Sequence, residues 1–288
     1  MHTSSRLIPF TFDNLPLRGK LLRLTQIEQF VPTLNQANHA ATETLLNLLA
    51  AATIMQHDFK QDSSVTVQIQ SAQSGAIMFA RCNSQNQLRA YANTTAQEQA
   101  FSTYATTDGL CAVTVESAKT GHDWQSMVPL EHQQLQDALI AFFEKSAQTP
   151  TVLRVWAAQE DAGWQATALF LQALPPAERE SPLEDWERIP LLLDTVTTEE
   201  ALTTAPATLL HRLFNEDAVR LYPMTELSFN QENPRERMAQ ALQSIGQQAC
   251  ADLLTEGPIE MRDDTTGKTE TFSATDIATL FAANKDNA

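Results

Sequence analysis

The sequence is short of the residues most chemistry needs. Glycine occurs 8 times in 288 residues. Neither G-x-x-x-x-G-K nor G-x-G-x-x-G is present, so no phosphate-cradling loop announces a nucleotide. Cysteine occurs three times, at Cys82, Cys111 and Cys250. An odd number at wide spacings is not a disulfide framework and suits a reducing cytosol, so a cytoplasmic location is expected. Basic residues are few: 19 Lys and Arg face 35 Asp and Glu, a formal charge of −16 with a pI near 4.7. That balance argues against nucleic acid, whose phosphates demand cations, and against anionic membranes. No apolar run approaches the ~18 residues of a membrane span. The N-terminal Met1 to Arg6 is not followed by a long apolar core, so no secretion signal is expected.

Catalytic signatures are missing as well. No Ser/His/Asp or Cys/His set has local motif support, and no His pair has metal-ligand spacing. The adjacent carboxylates Asp263-Asp264 and Glu199-Glu200 read as solvated charge. The expectation is a non-enzyme without a cofactor or bound metal.

What is present is the patterning of a globular chain, with 43% hydrophobic residues. Leu17, Leu22 and Leu24 beside Arg18, Lys20 and Arg23 predict a strand or strand edge. Leu45, Leu48, Leu49, Ala52 and Met55 predict a helix over 41–56, with Ala50-Ala51-Ala52 allowing close approach to a sheet. Val65, Val67 and Ile69 alternate with polar residues, as in a half-buried strand. Strands are predicted at 76–82, 88–92, 111–115 and 124–130, with turns at Ser74-Gly75 and Thr120-Gly121. Cys111 reads as a small buried hydrophobe. Leu135, Ala138, Leu139, Phe142 and Phe143 form one apolar stripe in a helix over 132–146. Strands at 152–156 and 166–174 complete an α+β domain spanning 1–176.

Beyond Pro176 the composition turns acidic. Up to residue 200, eight Asp and Glu face only Arg179 and Arg188, with Leu183, Trp186, Ile189, Leu191, Leu192 and Leu193 interleaved. This predicts an amphipathic helical connection over 177–226, interrupted at Pro190. Pro206 starts a further helix with Leu209, Leu210, Leu213 and Phe214 on one face. Such a segment is either a permanent bridge on the first domain or a metastable cover that exposes apolar surface when it detaches.

The last stretch, 227–288, reads as a small module. Asn233-Pro234-Arg235-Glu236 has the signature of a helix start, and Ser273-Ala274-Thr275-Asp276 has a similar one. Short strands are predicted at 259–262 and 269–272, joined through Thr266-Gly267. The expected core is Met238, Leu242, Ile245, Leu253, Leu254, Ile259, Met261, Phe272, Ile277, Leu280 and Phe281. A module of about 60 residues is marginal without a staple.

Phe229 to Arg237 resembles the metal-site entrance of the 33 kDa redox-regulated heat-shock chaperones (heat shock protein 33 type), where the pattern is F-x-C-x-C-x-x-E-R. Met261 to Gly267 is similar to that family's C-x-x-C-G, and Pro16 to Leu24 to its opening V-R-G-E-L. The residues around Leu213 to Val219 and Tyr222-Pro223 are also similar, so the likeness runs nearly the whole chain. The family's four cysteines fall on Gln231, Asn233, Asp263 and Thr266. No cysteine is present there, and no His lies between Phe229 and the C-terminus. One carboxylate and three neutral oxygens suit a structural zinc poorly, and without thiols a disulfide switch is impossible. The resemblance implies a zinc-free, ATP-independent holdase, constitutive or otherwise triggered, that binds unfolding proteins and forms a homodimer. Expected client-binding residues are Trp186, Ile189, Leu191, Leu192, Leu209, Leu210, Leu213 and Phe214. The alternative is a regulatory module that kept the fold and binds one folded partner through its acidic linker face.

Overall fold

The computed structural model describes residues 4–29, 31, 39–59, 62–71, 77–92, 109–117, 123–130, 135–161, 163–179, 183, 186–229, 234–262 and 269–282. The turns expected at Ser74-Gly75, Thr120-Gly121 and Thr266-Gly267 lie outside these residues. The chain divides into two compact units, Met1–Phe229 and Asn230–Ala288. The segment 177–226 therefore falls inside the first unit.

The first unit is built on two sheets. Sheet A holds β1 (Arg6–Phe12), β2 (Leu17–Leu24), β8 (Thr151–Glu160), β9 (Gly163–Ala173) and β10 (Val219–Leu221) in the order β10-β1-β2-β9-β8, with β11 (Thr225–Glu226) also paired to β1. Sheet B holds β3 (Ser63–Ser71), β4 (Ile77–Cys82), β5 (Gln87–Ala92), β6 (Gly109–Ser117), β7 (Asp123–Pro129) and β12 (Ser228–Phe229) in the order β12-β5-β4-β3-β6-β7. Every pairing is antiparallel except β12 with β5. The mixed α+β class expected from the sequence is what the chain adopts. β1 is not among the predicted strands, although Ile8, Phe10 and Phe12 alternate with Pro9 and Thr11, whereas β10 to β12, at 3, 2 and 2 residues, are too short to show alternation.

Between the sheets lies α1 (His39–Gln56). An ordinary amphipathic helix keeps one polar face. This one buries Leu45, Leu46, Leu48, Leu49, Ala50, Ala51, Ala52, Ile54 and Met55 around its circumference, because it meets sheet A on one side and sheet B on the other. The shared core takes Leu7, Leu22, Leu153 and Phe170 from sheet A and Val65, Val67, Ile69, Met78, Ala80 and Val113 from sheet B. α2 (Leu135–Ala147) adds Leu135, Ala138, Leu139, Phe142 and Phe143. Cys82 and Cys111 sit in the same core.

The outer face of sheet A makes a second core. Ile8, Phe10, Phe12, Leu17, Leu21, Val152, Leu169 and Leu171 pack against three short helices: α3 (Arg188–Asp194), α4 (Thr198–Thr203) and α5 (Pro206–Leu213). Because both faces of the sheet are covered, β9 is buried without a break from Ala166 to Ala173. Pro190 does not interrupt α3, contrary to expectation. It occupies the first turn, where its missing N–H would have no partner in any case. β2 is interior to sheet A, and Lys20 on it is buried, not solvated as a strand-edge cation would be. Lys20 Nζ lies 2.6 Å from Asp58 Oδ1 and donates to Ile54 O at 2.8 Å. Gly19 on the same strand has a steric reason: a Cβ there would lie 2.2 Å from Cζ of the Phe10 ring.

The second unit contains α6 (Pro234–Ile245), α7 (Gln247–Leu253), a hairpin of β13 (Ile259–Arg262) and β14 (Thr269–Phe272), and α8 (Ala274–Ala282). Its core is Met238, Leu242, Cys250, Ile259, Phe272 and Ile277, with Leu254, Met261, Leu280 and Phe281 packed around it. Two expected core residues are outside it: Ile245 is 51% and Leu253 49% exposed. Gly246, at φ +92°, separates α6 from α7 and shifts the register of the face, so Cys250 fills the interior instead.

Candidate functional site

The covered outer face of sheet A is the feature with functional content. Its cross-strand rows can be followed by register. Ile8, Leu21, Leu169 and Arg154 form one row, and Phe10, Gly19, Leu171 and Val152 the next. Over them, Ile189, Leu193, Val196, Ala201, Leu209, Leu210, Leu213 and Phe214 close the second core. Phe12 meets Phe214 edge-on at 5.1 Å and Phe10 at 5.7 Å, tying the end of α5 to β1.

Polar contacts fix the same segment. Arg154 Nε lies 2.7 Å from Asp194 Oδ1, and Arg188 reaches the buried Asp217 carboxylate at 3.0 Å. Arg23 donates to Ala201 O at 3.1 Å and to Thr204 O. Burial, and the neighbouring Arg6, hold the Arg23 guanidinium down to about 10. α4 is capped by Thr197, whose side chain accepts from Glu200 N at 3.2 Å.

Of the expected client-binding residues, Ile189, Leu209, Leu210, Leu213 and Phe214 are buried in this second core. Trp186 and Leu192 are partly buried against it, and Leu191 points away at 66% exposure. The structure thus gathers seven of the eight on one interface and separates Leu191. The partner residues on β1, β2 and β9 were not anticipated; their alternation on the outer face was the available signal.

In the second unit, Gln231, Asn233, Asp263 and Thr266 lie outside the described residues. Their donor set, one carboxylate and no thiolate or imidazole, does not fit a structural zinc. The unit's cysteine, Cys250, is buried with Sγ 3.3 Å from Leu242 O, occupied with packing. Among the described residues no group of three His, Cys, Asp or Glu side chains could hold a metal ion. The elements are instead joined by Arg235 near the start of α6. Its guanidinium reaches Glu270 at 3.2 Å and Asp276 at 2.9 Å, donates to Thr271 O at 2.9 Å, and lies over the Phe272 ring at 4.5 Å. Ser273 and Asp276 cap α8 reciprocally: Asp276 N donates to Ser273 Oγ at 3.2 Å and Ser273 N to Asp276 Oδ2 at 2.8 Å. Bonds from Ser273, with Arg235 adding to them, hold the Asp276 carboxyl below its usual value.

Comparison with known proteins decides the family. The model of the Hsp33 protein family matches residues 5–273. The chain belongs to the Hsp33 family. It is 32% identical over 284 residues to the 33 kDa chaperonin of Pseudomonas aeruginosa, covering 95% of this chain and 93% of the relative. It is 33% identical over 281 residues to that of Pseudomonas savastanoi, covering 95% and 92%. The crystal structure of the 33 kDa chaperonin (heat shock protein 33 homolog) of Thermotoga maritima shares its fold, with a TM-score of 0.75 over 99% of this chain and 100% of that one at 18% identity. As an Hsp33 protein it is a chaperone, and the relatives it matches are named for chaperoning and not for a catalysed reaction. No helix among the described residues is long and apolar enough to cross a membrane.

Proposed function

We propose that this Hsp33 protein is an ATP-independent, zinc-free holdase that binds unfolding proteins on the outer face of sheet A and on the helices that cover it. The observation that carries this reading is the cover itself. α3, α4 and α5 are 7, 6 and 8 residues long. Helices this short do not persist alone in water, so they depend on docking, and such elements are the ones that open first. Opening would uncover Ile8, Phe10, Phe12, Leu21, Leu169 and Leu171, together with the apolar side of the segment. The interface holds most of the expected client-binding residues, which supports assigning them that role once the cover opens. With no cysteine at 231, 233, 263 or 266, release is constitutive or driven by heat or by oxidation elsewhere. Met238 and Met261 are the candidates, since a sulfoxide there would disturb the second unit's core. The working form in this reading is a cytoplasmic homodimer with no ATP requirement, in keeping with the missing phosphate-loop motifs.

The test is light scattering of a chemically unfolded client diluted into this protein, untreated, warmed and oxidant-treated, with total zinc assayed on the same sample. Suppression without zinc is the expected result. Suppression only after heat or oxidant would identify the trigger. No suppression under any condition would sink the holdase reading and favour a regulator of one folded partner, which a stoichiometric pull-down would reveal.

A further inference from the structure

One row across the outer face of sheet A is polar. Cross-strand register places Arg6, Arg23, Thr167 and Trp156 side by side on β1, β2, β9 and β8. Three of them donate to the covering segment, and every acceptor is a main-chain carbonyl. Arg23 donates to Ala201 O and Thr204 O, Thr167 Oγ1 to Ala201 O at 2.9 Å, and Trp156 Nε1 to Val196 O at 3.1 Å. No side chain of the segment takes part in these bonds, so they would form with any sequence. Ala201 O belongs to the last turn of α4, where a helix leaves carbonyls without internal partners.

The row also has capacity to spare. The Nε atoms of Arg6 and Arg23 are buried with no hydrogen-bond partner among the described residues. A buried donor left unpaired costs free energy, so an occupant presenting more carbonyls than residues 196–204 would be favoured. Beside the row lie Ile8, Leu21 and Leu169, which share a core with the apolar side chains of the covering segment; apolar burial of this kind is non-directional.

From this we infer that Arg23, Thr167 and Trp156 form a backbone-reading site: the covering segment occupies it as a stand-in for client, and an unfolded polypeptide takes its place when the cover opens. The inference rests on the holdase reading above and names its partner chemistry, the peptide carbonyls of a chain lacking its own secondary structure. It also explains how one surface accepts many sequences, since main-chain bonds supply the polar part and the neighbouring rows the apolar part.

The competition has a measurable consequence. Removing one donor weakens segment and client alike, so Thr167→Val changes the apparent client affinity little while the cover is closed. With the cover open, the same substitution weakens client binding about fivefold, the worth of one ordinary hydrogen bond. Apolar capture alone predicts no loss, because valine keeps the shape and adds apolar surface.

The direct experiment follows the Trp156 indole N–H by NMR in the full-length chain, assigned with Trp156→Phe. The cover is opened by Leu193→Asp, which puts a carboxylate into the second core. If that variant does not fold, wild-type protein is used at the temperature where amides of 198–213 exchange but those of α1 do not. The probe is reduced, carboxymethylated α-lactalbumin, which stays unfolded, with its binding followed separately by fluorescence anisotropy. The expected result is an indole N–H that is protected when closed, exchanges when open, and slows at least about tenfold again when the probe binds. Probe bound with the indole N–H still exchanging would overturn the inference and leave the holdase reading intact. No probe bound in the opened protein would overturn both.

Discussion

Phe214→Ala tests whether the cover of sheet A is a separate unit of stability. Phe214 is fully buried, stands edge-on to Phe12 and closes the second core at the end of α5. Truncating such a phenylalanine costs about 3–5 kcal/mol. Taking ~3 kcal/mol, native-state hydrogen exchange of the 198–213 amides should accelerate by roughly two powers of ten. The α1 amides should accelerate too, because Phe214 is released in the open and in the fully unfolded state alike. Leu48→Ala is the counterpart. Leu48 is buried in α1 between the sheets, where it stays packed when the cover opens. Its loss, again about 2–5 kcal/mol, should accelerate α1 exchange and leave the 198–213 amides unchanged. If Leu48→Ala accelerates both sets equally, the cover opens only by global unfolding and the reasoning fails. If Phe214→Ala leaves 198–213 unchanged, Phe214 does not hold the cover.

Three further predictions concern the charges and thiols. Asp58→Asn leaves the buried Lys20 ammonium without its carboxylate and should cost about 3 kcal/mol, the low end for a broken buried pair because Asp58 is partly exposed, read as a fall in Tm. Burial pushes the Lys20 pKa below 10.5, against the opposing pull of Asp58. The folded chain therefore binds fewer protons than the unfolded one between that lowered value and 10.5. Stability contributed by this group should rise with pH across that window, and the window should widen in Asp58→Asn; a fall with pH would refute the assignment. Arg235→Ala should speed amide exchange in β14 and α8, an effect that shrinks in high salt because these groups are near the surface. With Asp276 held below its ordinary value of 3.8, its contribution is full above that pH and lost as pH falls through the lowered value; exchange unchanged by Arg235→Ala would show that the network is not a staple. Burial raises the Cys82 and Cys111 thiols to about 12 and raises Cys250 as well, so a thiol reagent should label the native protein only as fast as it unfolds. Rapid labelling of the folded chain would contradict the buried placement of all three.

Local pattern carried much of this fold into view in advance. Alternation at 65–69 and 88–92 marks strands because side chains on a pleated strand point to opposite faces. The Ser273–Asp276 spacing marks a helix start because the two groups can satisfy each other's backbone donors. That positions 231, 233, 263 and 266 carry Gln, Asn, Asp and Thr, with no thiol or imidazole among them, is chemical composition and needs no coordinates. Other features were not readable. Ile245 and Leu253 fit an apolar stripe and yet face outward, because Gly246 turns the face between two helices. Lys20 looks like a solvated cation until α1 is laid over its strand.

By itself the sequence determined the type of most elements, the family through the residues around Leu213 to Arg237, and the lack of cysteine at 231, 233, 263 and 266. These depend on neighbours within a few residues, or on the mere identity of side chains. Only the tertiary structure decided that β10 to β12 return to the sheets, that α1 is enclosed on both sides, and that α3 to α5 lie face down on sheet A. Periodicity says which residues share a face, but not what covers it. The row of Arg23, Thr167 and Trp156 shows the same limit: its members are more than a hundred residues apart in places, and only strand pairing sets them side by side beneath the carbonyls they bind.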